Sequence, residues 1–159
     1  MELEVCRRGG AAFALLVWYN LPGGGGALVR VRARLLDWLE GAGCARVRNN
    51  LYFCPPWARA RLEEAASKAR ARLEGAGLAG EFKLNVWRVA VLDGSLEELV
   101  ERALERARAG VEAMKRKVAE RRRMGKSEGR YAERLAALRR AIVELERWLT
   151  CLKEGSWKL

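Results

Sequence analysis

The chain has no histidine and no glutamine among its 159 residues, and it has three prolines. Histidine is the side chain that most often moves protons near neutral pH and binds zinc through nitrogen, so its absence removes the commonest catalytic base. The few serines and threonines have no base in register, and adjacent carboxylates such as Glu63 and Glu64 occupy predicted exposed helix positions. We therefore predict a protein that is not an enzyme, with no catalytic residue, no metal ion and no cofactor.

Cysteine is sparse and unclustered. Cys6, Cys44, Cys54 and Cys151 form no C-x-x-C pair, and without histidine a zinc site would need all four thiolates or additional carboxylates. Buried, reduced thiols in a cytoplasmic protein are the favoured interpretation. A disulfide that involves Cys44 or Cys54 stays open, because heat-adapted cells keep some intracellular disulfides.

Long hydrophobic runs are missing. The apolar segment 11–19 follows Arg7 and Arg8, as in a signal peptide, but it is too short to span a bilayer and has no small-residue cleavage site before Pro22. The expected location is therefore the cytoplasm, with no membrane partner.

Acidic residues are fewer than basic ones. Lysine and arginine outnumber aspartate and glutamate by 31 to 20, which gives a formal net charge of +11 and a sequence pI near 10.2. A protein of this charge favours polyanions, nucleic acid before an anionic membrane surface. The alternative is the arginine-rich surface of a protein from a GC-rich or heat-adapted genome, and composition alone leaves both open.

Apolar strands and amphipathic helices alternate over the first part of the chain. The segment 13–19 is apolar at every position, which predicts a central strand covered on both faces. The predicted order is β-α-β-β-α-β, a ferredoxin-like α+β sandwich, with strands at 13–20, 44–48, 51–54 and 81–92 and helices at 27–39 and 55–74. Asn49-Asn50 is the predicted hairpin turn. Two helices cover one face of such a sheet, so the second face needs the rest of the chain, a partner subunit or both, and we expect a homodimer.

Two long helices are predicted for the remainder. Apolar residues recur in heptad steps from Val100 to Val118 and again, after a polar break, from Tyr131 to Leu152. This spacing predicts an antiparallel coiled-coil hairpin, with Ser95 and Glu98 as a capping box at its start. The expected domains are 1–94, the ferredoxin-like α+β unit, and 95–159, the helical hairpin.

Basic residues concentrate on the first helix, on the strand hairpin and at the tip of the helical hairpin. Arg30 and Arg34 are one helical turn apart and share a face, while Arg32 points away from them. At the tip, Glu120 is the one carboxylate between residues 115 and 126. The predicted nucleic-acid-binding residues are Arg30, Arg32, Arg34, Arg46, Arg48, Lys115, Arg116, Arg121, Arg122, Arg123 and Lys126. An ordinary solvated surface is the alternative interpretation of this charge.

Known nucleotide and RNA motifs are absent. The glycine run 23–26 precedes a helix, where free N–H groups can bind phosphate, but no Gly-Lys-Ser/Thr follows it and no acidic residue ends the second strand. The strand 51–54 lacks the glycines of sheet-based RNA readers. Most of the six tryptophans are predicted to pack in the core.

One stretch combines several of these features. An Arg-x-Arg pair on a helix, Arg32 and Arg34, leads through Gly43 into a hairpin of sequence Arg-Val-Arg-Asn-Asn-Leu-Tyr-Phe-Cys-Pro at 46–55. With Leu21-Pro22 before it and charged helices after it, this stretch resembles the N-terminal domain of the ChrB family, which has Asp-Gly at the turn. The resemblance implies a ferredoxin-like core and a DNA-binding transcriptional regulator of chromate resistance.

The resemblance supports the N-terminal module alone. Members of that family usually carry a C-terminal domain, to which sensing is attributed, so the resemblance does not lead us to expect chromate sensing by this chain. A related core occurs in PaaX-type repressors and in small CRISPR-associated, metal-dependent nucleases. Those nucleases carry an aspartate at the end of strand one, where this chain has Tyr19-Asn20, and Asp37 and Asp93 lie elsewhere. Nuclease or toxin activity is therefore disfavoured as an alternative. The other alternative function is that of a protein-interaction adaptor, which would dock a partner helix on the hairpin.

Overall fold

The computed structural model describes residues 2–21 and 25–159. Within these residues the fold is mixed α/β, with four helices and seven strands in antiparallel sheets. The strands are β1 (Leu3–Val5), β2 (Arg7–Arg8), β3 (Ala11–Asn20), β4 (Ala45–Arg48), β5 (Leu51–Cys54), β6 (Lys83–Val91) and β7 (Ser156–Lys158). The helices are α1 (Gly26–Gly41), α2 (Arg59–Glu74), α3 (Ser95–Arg123) and α4 (Gly129–Glu154). None of these helices is both long and apolar enough to cross a membrane.

Strand β3 occupies the centre of the main sheet. It pairs antiparallel with β5 on one side and with β6 on the other, and β4 continues the sheet beyond β5. Strand β2 pairs with the first residues of β3, and a small second sheet joins β1 to β7. The turn between β4 and β5 falls at the predicted Asn49-Asn50, where Asn50 has a φ of 66° that asparagine tolerates better than most residues.

Helices α1 and α2 cover the first face of this sheet. Leu15, Val17 and Tyr19 of β3 pack with Leu35 of α1 and Leu62 of α2 in one buried core. Leu84 and Val86 of β6 contribute to the same core, as does Phe82 immediately before the strand. Burying a leucine or phenylalanine of this kind stabilises the fold by roughly 1.5–3 kcal/mol.

The second face is covered in part. Ala12 and Ala14 of β3 and Val89 of β6 pack with α3 and α4 in a second core, which draws residues from both predicted units, 1–94 and 95–159. Farther along the same face, Trp18 and Trp87 are 39% and 48% exposed. The prediction that β3 is covered on both faces therefore holds for its first half and fails for its second.

Helices α3 and α4 pack along the apolar positions predicted from their heptad spacing, all of which belong to the second core. Cross-helix contacts run in opposite order along the two helices, since Glu101 pairs with Lys153 at 4.0 Å and Arg108 pairs with Glu146 at 3.0 Å. Leu138 of α4 lies directly against Gly110 of α3.

One predicted helix start and one predicted helix cap are wrong. Helix α2 begins at Arg59 rather than at 55, because the Ala58 N–H donates to the Pro55 carbonyl in a preceding turn (3.0 Å). Helix α3 has no capping box: the Asp93 carboxylate accepts the Ser95 N–H (3.0 Å), while Glu98 pairs instead with Arg102 (2.9 Å).

All four cysteines form disulfides, so the expectation of reduced thiols is wrong. Cys44 and Cys54 bond across the β4–β5 hairpin, and Cys6 bonds to Cys151 near the end of α4. The second bridge lies beside the β1–β7 pairing and closes a sequence separation of 145 residues. It therefore fastens the first residues of the fold to the last helix.

Candidate nucleic-acid interface

The three arginines of α1 have different surroundings. Arg34 lies 3.5 Å from the carboxylate of Glu133 on α4. Arg32 instead faces Tyr19 and the β4–β5 turn. Arg30 is exposed and has no carboxylate partner in the described part of the chain. Of the three, Arg34 is therefore the one whose charge is already compensated.

Arg32 and Arg46 line a surface hollow of about 400 Å³ together with Tyr19, Asn49 and Asn50. The Arg46 Nη2 donates to the Asn49 side-chain oxygen. Burial raises the pKa of Tyr19, and the two guanidinium charges act in the opposite direction. Two guanidinium groups, two amides and a neutral phenol suit this hollow to an anion, since no carboxylate is among its lining residues.

A neighbouring pocket of about 220 Å³ extends this cationic surface. Arg46 also lines this pocket, with Arg106 of α3 and Arg134 of α4, and Glu40 is its one carboxylate. Arg134 is bonded to Glu40 at 2.7 Å, whereas Arg46 and Arg106 have no carboxylate partner among the described residues. Sequence reasoning missed Arg106. Its signal was weak, because it is one arginine among many on an exposed helix face.

A β-bulge separates the two arginines of the strand hairpin. Residues two apart on a regular strand share a face. The register of β4 shifts between Arg46 and Arg48, so Arg46 lies opposite the buried Tyr52 while Arg48 lies opposite Leu51. The bulge therefore directs Arg46 to the first face of the sheet, which α1 and α2 cover, and Arg48 to the second face.

The hairpin tip, defined as residues 115–126 with the turn to α4, keeps part of its charge uncompensated. Lys115 pairs with Glu112 at 3.4 Å, and Arg122 donates to Glu128. The hydrogen bond from Arg122 lowers the pKa of the Glu128 carboxyl. The tip cations without a carboxylate partner or an aromatic ring beneath them, in the part of the chain that is described, are Arg116, Arg123 and Lys126.

Tyr131 of α4 organises the other tip cations and was not predicted to do so. The Lys117 ammonium lies 5.2 Å from the centroid of its ring, and the Arg121 guanidinium lies 5.6 Å from it. Cation–π contacts of this kind contribute roughly 0.5–1 kcal/mol at exposed sites. Arg121 also sits in the last turn of α3, where a cation is favoured by the helix dipole. Its role is therefore at least partly structural.

Two aspartates, Asp37 and Asp93, are committed to internal contacts. Asp37 is buried and accepts from Arg130 Nη2 at 2.9 Å and from Arg134 Nη1 at 2.8 Å, which fixes α1 to α4. Asp93 accepts the Ser95 N–H. No group of three or more potential metal-ligating side chains occurs among residues 2–21 and 25–159. Of the glycine run 23–26, Gly23 and Gly24 lie outside the described residues, while Gly25 precedes α1 and Gly26 begins it.

Of the eleven predicted cations, three are thus bonded to carboxylates, namely Arg34, Lys115 and Arg122. The others have no such partner among the described residues. Arg32 and Arg46 lie with Arg106 around two adjoining pockets, whereas Arg46 and Arg48 lie on opposite faces of the sheet. The resemblance to the ChrB N-terminal domain stays a prediction. No known protein family, no curated protein and no solved structure matches the chain.

Proposed function

We propose that the protein binds nucleic acid through two cationic surfaces. The first is the surface around Arg46, formed with Arg32 and Arg106. The second is the hairpin tip, through Arg116, Arg123 and Lys126. The observation that carries the proposal is that most of the predicted cations have no carboxylate partner in the described chain, whereas Asp37, Glu40 and Glu133 are already bonded to arginines.

Phosphate is the ligand chemistry that these surfaces suit. Guanidinium groups bind phosphate oxygens in a forked geometry, and amides such as Asn49 add neutral donors. Contacts of this type supply affinity without sequence choice and release counterions, so the affinity falls as salt rises. The net charge of +11 attracts such a polyanion at long range.

The finer interpretation follows the resemblance to ChrB. We take the fold to be a ferredoxin-like sandwich followed by an antiparallel coiled-coil hairpin; the strand pairing β6–β3–β5–β4 and the heptad contacts of α3 with α4 support this. The proposed role is that of a cytoplasmic, homodimeric DNA-binding regulator of the chromate-resistance type. A chromate transporter gene beside this one would support the regulatory part, and a mass measurement in solution tests the dimer.

The binding proposal is tested by titrating a labelled 20-base-pair DNA duplex at about 50 mM salt. A tip variant, Arg116→Gln/Arg123→Gln/Lys126→Gln, removes three uncompensated cations. Its control, Lys68→Gln/Arg102→Gln/Arg108→Gln, removes three cations that are already paired with Glu64, Glu98 and Glu146. The two variants have the same net charge, so they separate local contacts from long-range attraction.

We expect the tip variant to bind the duplex at least 10-fold more weakly than the wild type, and the control to stay within about threefold of it, because already paired cations make fewer phosphate contacts. Equal weakening of binding in both variants would mean that the tip acts only through its net charge and makes no local phosphate contacts. Failure of the wild-type protein to bind duplex or single strand at low salt would overturn the proposal.

A further inference from the structure

Two tryptophans lie exposed on the second face of the main sheet, beyond the part that α3 and α4 cover. Trp18 belongs to β3 and Trp87 to β6. The strand register sets Leu16 opposite Trp87 and Trp18 opposite Asn85. The two tryptophans are therefore diagonal neighbours on one face, at a Cα separation of roughly 7–8 Å.

The residues around the two indoles carry positive charge or none. Leu51 lies opposite Trp18, and Arg48 lies opposite Leu51, so these residues and Asn85 form one row across four strands. Lys83 lies opposite Asn20 in the next row of the same face. Neither these rows nor the adjacent row through Leu16 and Trp87 contains a carboxylate. The indoles are thus bordered by cations at both edges of the sheet.

Packing within the chain does not account for this arrangement. Trp148, by contrast, packs in the second core and is fully buried, as expected of a tryptophan with a structural role. A second copy of the chain on this face is also poorly matched. A symmetric pair would press together two surfaces whose rows lack carboxylates, and Arg48 and Lys83 would be desolvated without an anion from the facing rows.

We propose that this face, called the tryptophan face and defined by Trp18, Trp87, Arg48 and Lys83, binds single-stranded nucleic acid. Unpaired bases stack on the two indoles, and the backbone phosphates between them contact Arg48 and Lys83. Stacking on an aromatic side chain strengthens binding roughly 5- to 150-fold per base and tolerates any sequence, because every base has a π-face. Bases within a duplex are already stacked on one another, so the face selects single strands.

This inference rests on the proposed function. It narrows the ligand from nucleic acid in general to single strands, bound at a surface separate from the hollow around Arg46. The experiment compares three 15-residue probes by anisotropy: oligothymidine, an abasic strand with the same backbone, and a duplex. The variant is Trp18→Leu/Trp87→Leu, which keeps the positions apolar. Its control is Val29→Ala/Leu92→Ala, which trims two exposed apolar side chains outside the face.

We expect the tryptophan variant to lose at least 30-fold in affinity for oligothymidine and less than threefold for the duplex, while the control loses neither. We also expect oligothymidine to quench wild-type tryptophan fluorescence and the abasic strand not to quench it. This second readout needs no variant, so it stands even if the double substitution impairs folding.

Several results would overturn the inference. Equal affinity of the wild type for oligothymidine and the abasic strand would show that base stacking does not contribute to binding. Salt-dependent binding, and hence the proposed function, would be unaffected by that result. A wild-type dimer that the tryptophan substitutions dissociate would assign the face to self-association. Absence of binding to every probe would defeat the proposed function itself, and this inference with it.

Discussion

At the scale of single residues, Gly43 marks a close contact between the end of α1 and α4. It follows α1 with a φ of +89°, and a Cβ added there would lie 2.8 Å from the Cβ of Glu144 on α4. Both the backbone conformation and the space therefore require glycine. Its position fixes α4 against the end of α1.

We predict that Gly43→Ala lowers the free energy of unfolding by about 2–4 kcal/mol, from left-handed strain and from the clash with α4. Gly10→Ala is the matched control, because Gly10 has no atom within 4 Å of an added Cβ and no positive φ. Urea denaturation of both variants measures the difference. A Gly43→Ala protein as stable as Gly10→Ala would mean that α4 does not approach this closely.

The buried phenols of Tyr19 and Tyr52 make stability depend on alkaline pH. Burial raises the pKa of each above its ordinary value near 10. Above that pH the unfolded phenols lose their protons while the folded ones retain them, so unfolding releases protons and rising pH favours it. The contribution is complete below pH 10 and is lost as the pH climbs through the folded values.

We predict that the free energy of unfolding falls more steeply above pH 10 in the wild type than in Tyr52→Phe, by up to about 1.4 kcal/mol per pH unit. Tyr131→Phe serves as the control, because it leaves both buried phenols in place. Urea unfolding at pH 8 and pH 10.5 gives the comparison. Parallel pH profiles of the wild type and Tyr52→Phe would contradict the role of this phenol.

At the scale of elements, α3 and α4 form the largest part of the second core. Leu138 is buried on α4 and packs against Gly110 of α3. We predict that Leu138→Ala costs about 2–5 kcal/mol of stability, because it leaves a cavity between the helices. Arg139→Ala, one position away and exposed, should change stability by less than about 0.5 kcal/mol. Chemical denaturation checks both, and a loss below 1 kcal/mol in Leu138→Ala would contradict this packing.

Local periodicity made many elements predictable from the sequence. The apolar residues of β6 alternate between the two cores, Leu84 and Val86 in the first and Val89 and Val91 in the second, and such an alternation is readable from the sequence because the period of a strand is local. The heptad positions of α3 and α4 were predictable for the same reason.

Features that depend on distant contacts were not predictable in this way. The opposite directions of Arg46 and Arg48 follow from a bulge in the pairing of β4 with β5. The exposure of Trp18 and Trp87 depends on how far α3 and α4 extend over the sheet. The contact of Lys117 and Arg121 with Tyr131 joins two helices whose relative rotation no single segment specifies.

At the scale of the whole molecule, the disulfides fasten the chain over very different spans. Cys6 and Cys151 are 145 residues apart in sequence, and Cys44 and Cys54 are 10 apart. In the chain-entropy account, a bridge stabilises by roughly 5 kcal/mol for the long span and roughly 3 kcal/mol for the short one. The long bridge therefore matters more to the cohesion of the fold.

We predict that Cys6→Ala/Cys151→Ala lowers the free energy of unfolding by about 2 kcal/mol more than Cys44→Ala/Cys54→Ala. All four sulfurs are buried, so the lost packing is similar in the two variants. Equilibrium unfolding in urea under non-reducing conditions compares them. A larger loss on removal of the short bridge would contradict the entropic argument.

The most direct test of the central claim is the salt dependence of binding to a DNA duplex, measured from about 50 to 300 mM salt for the wild type and the tip variant Arg116→Gln/Arg123→Gln/Lys126→Gln. Each phosphate contact contributes roughly 0.9 to the slope of log affinity against log salt. The account predicts a steep negative slope for the wild type and a slope shallower by about 2 to 3 for the tip variant. Affinity that does not change with salt, or identical slopes for the two proteins, would contradict it.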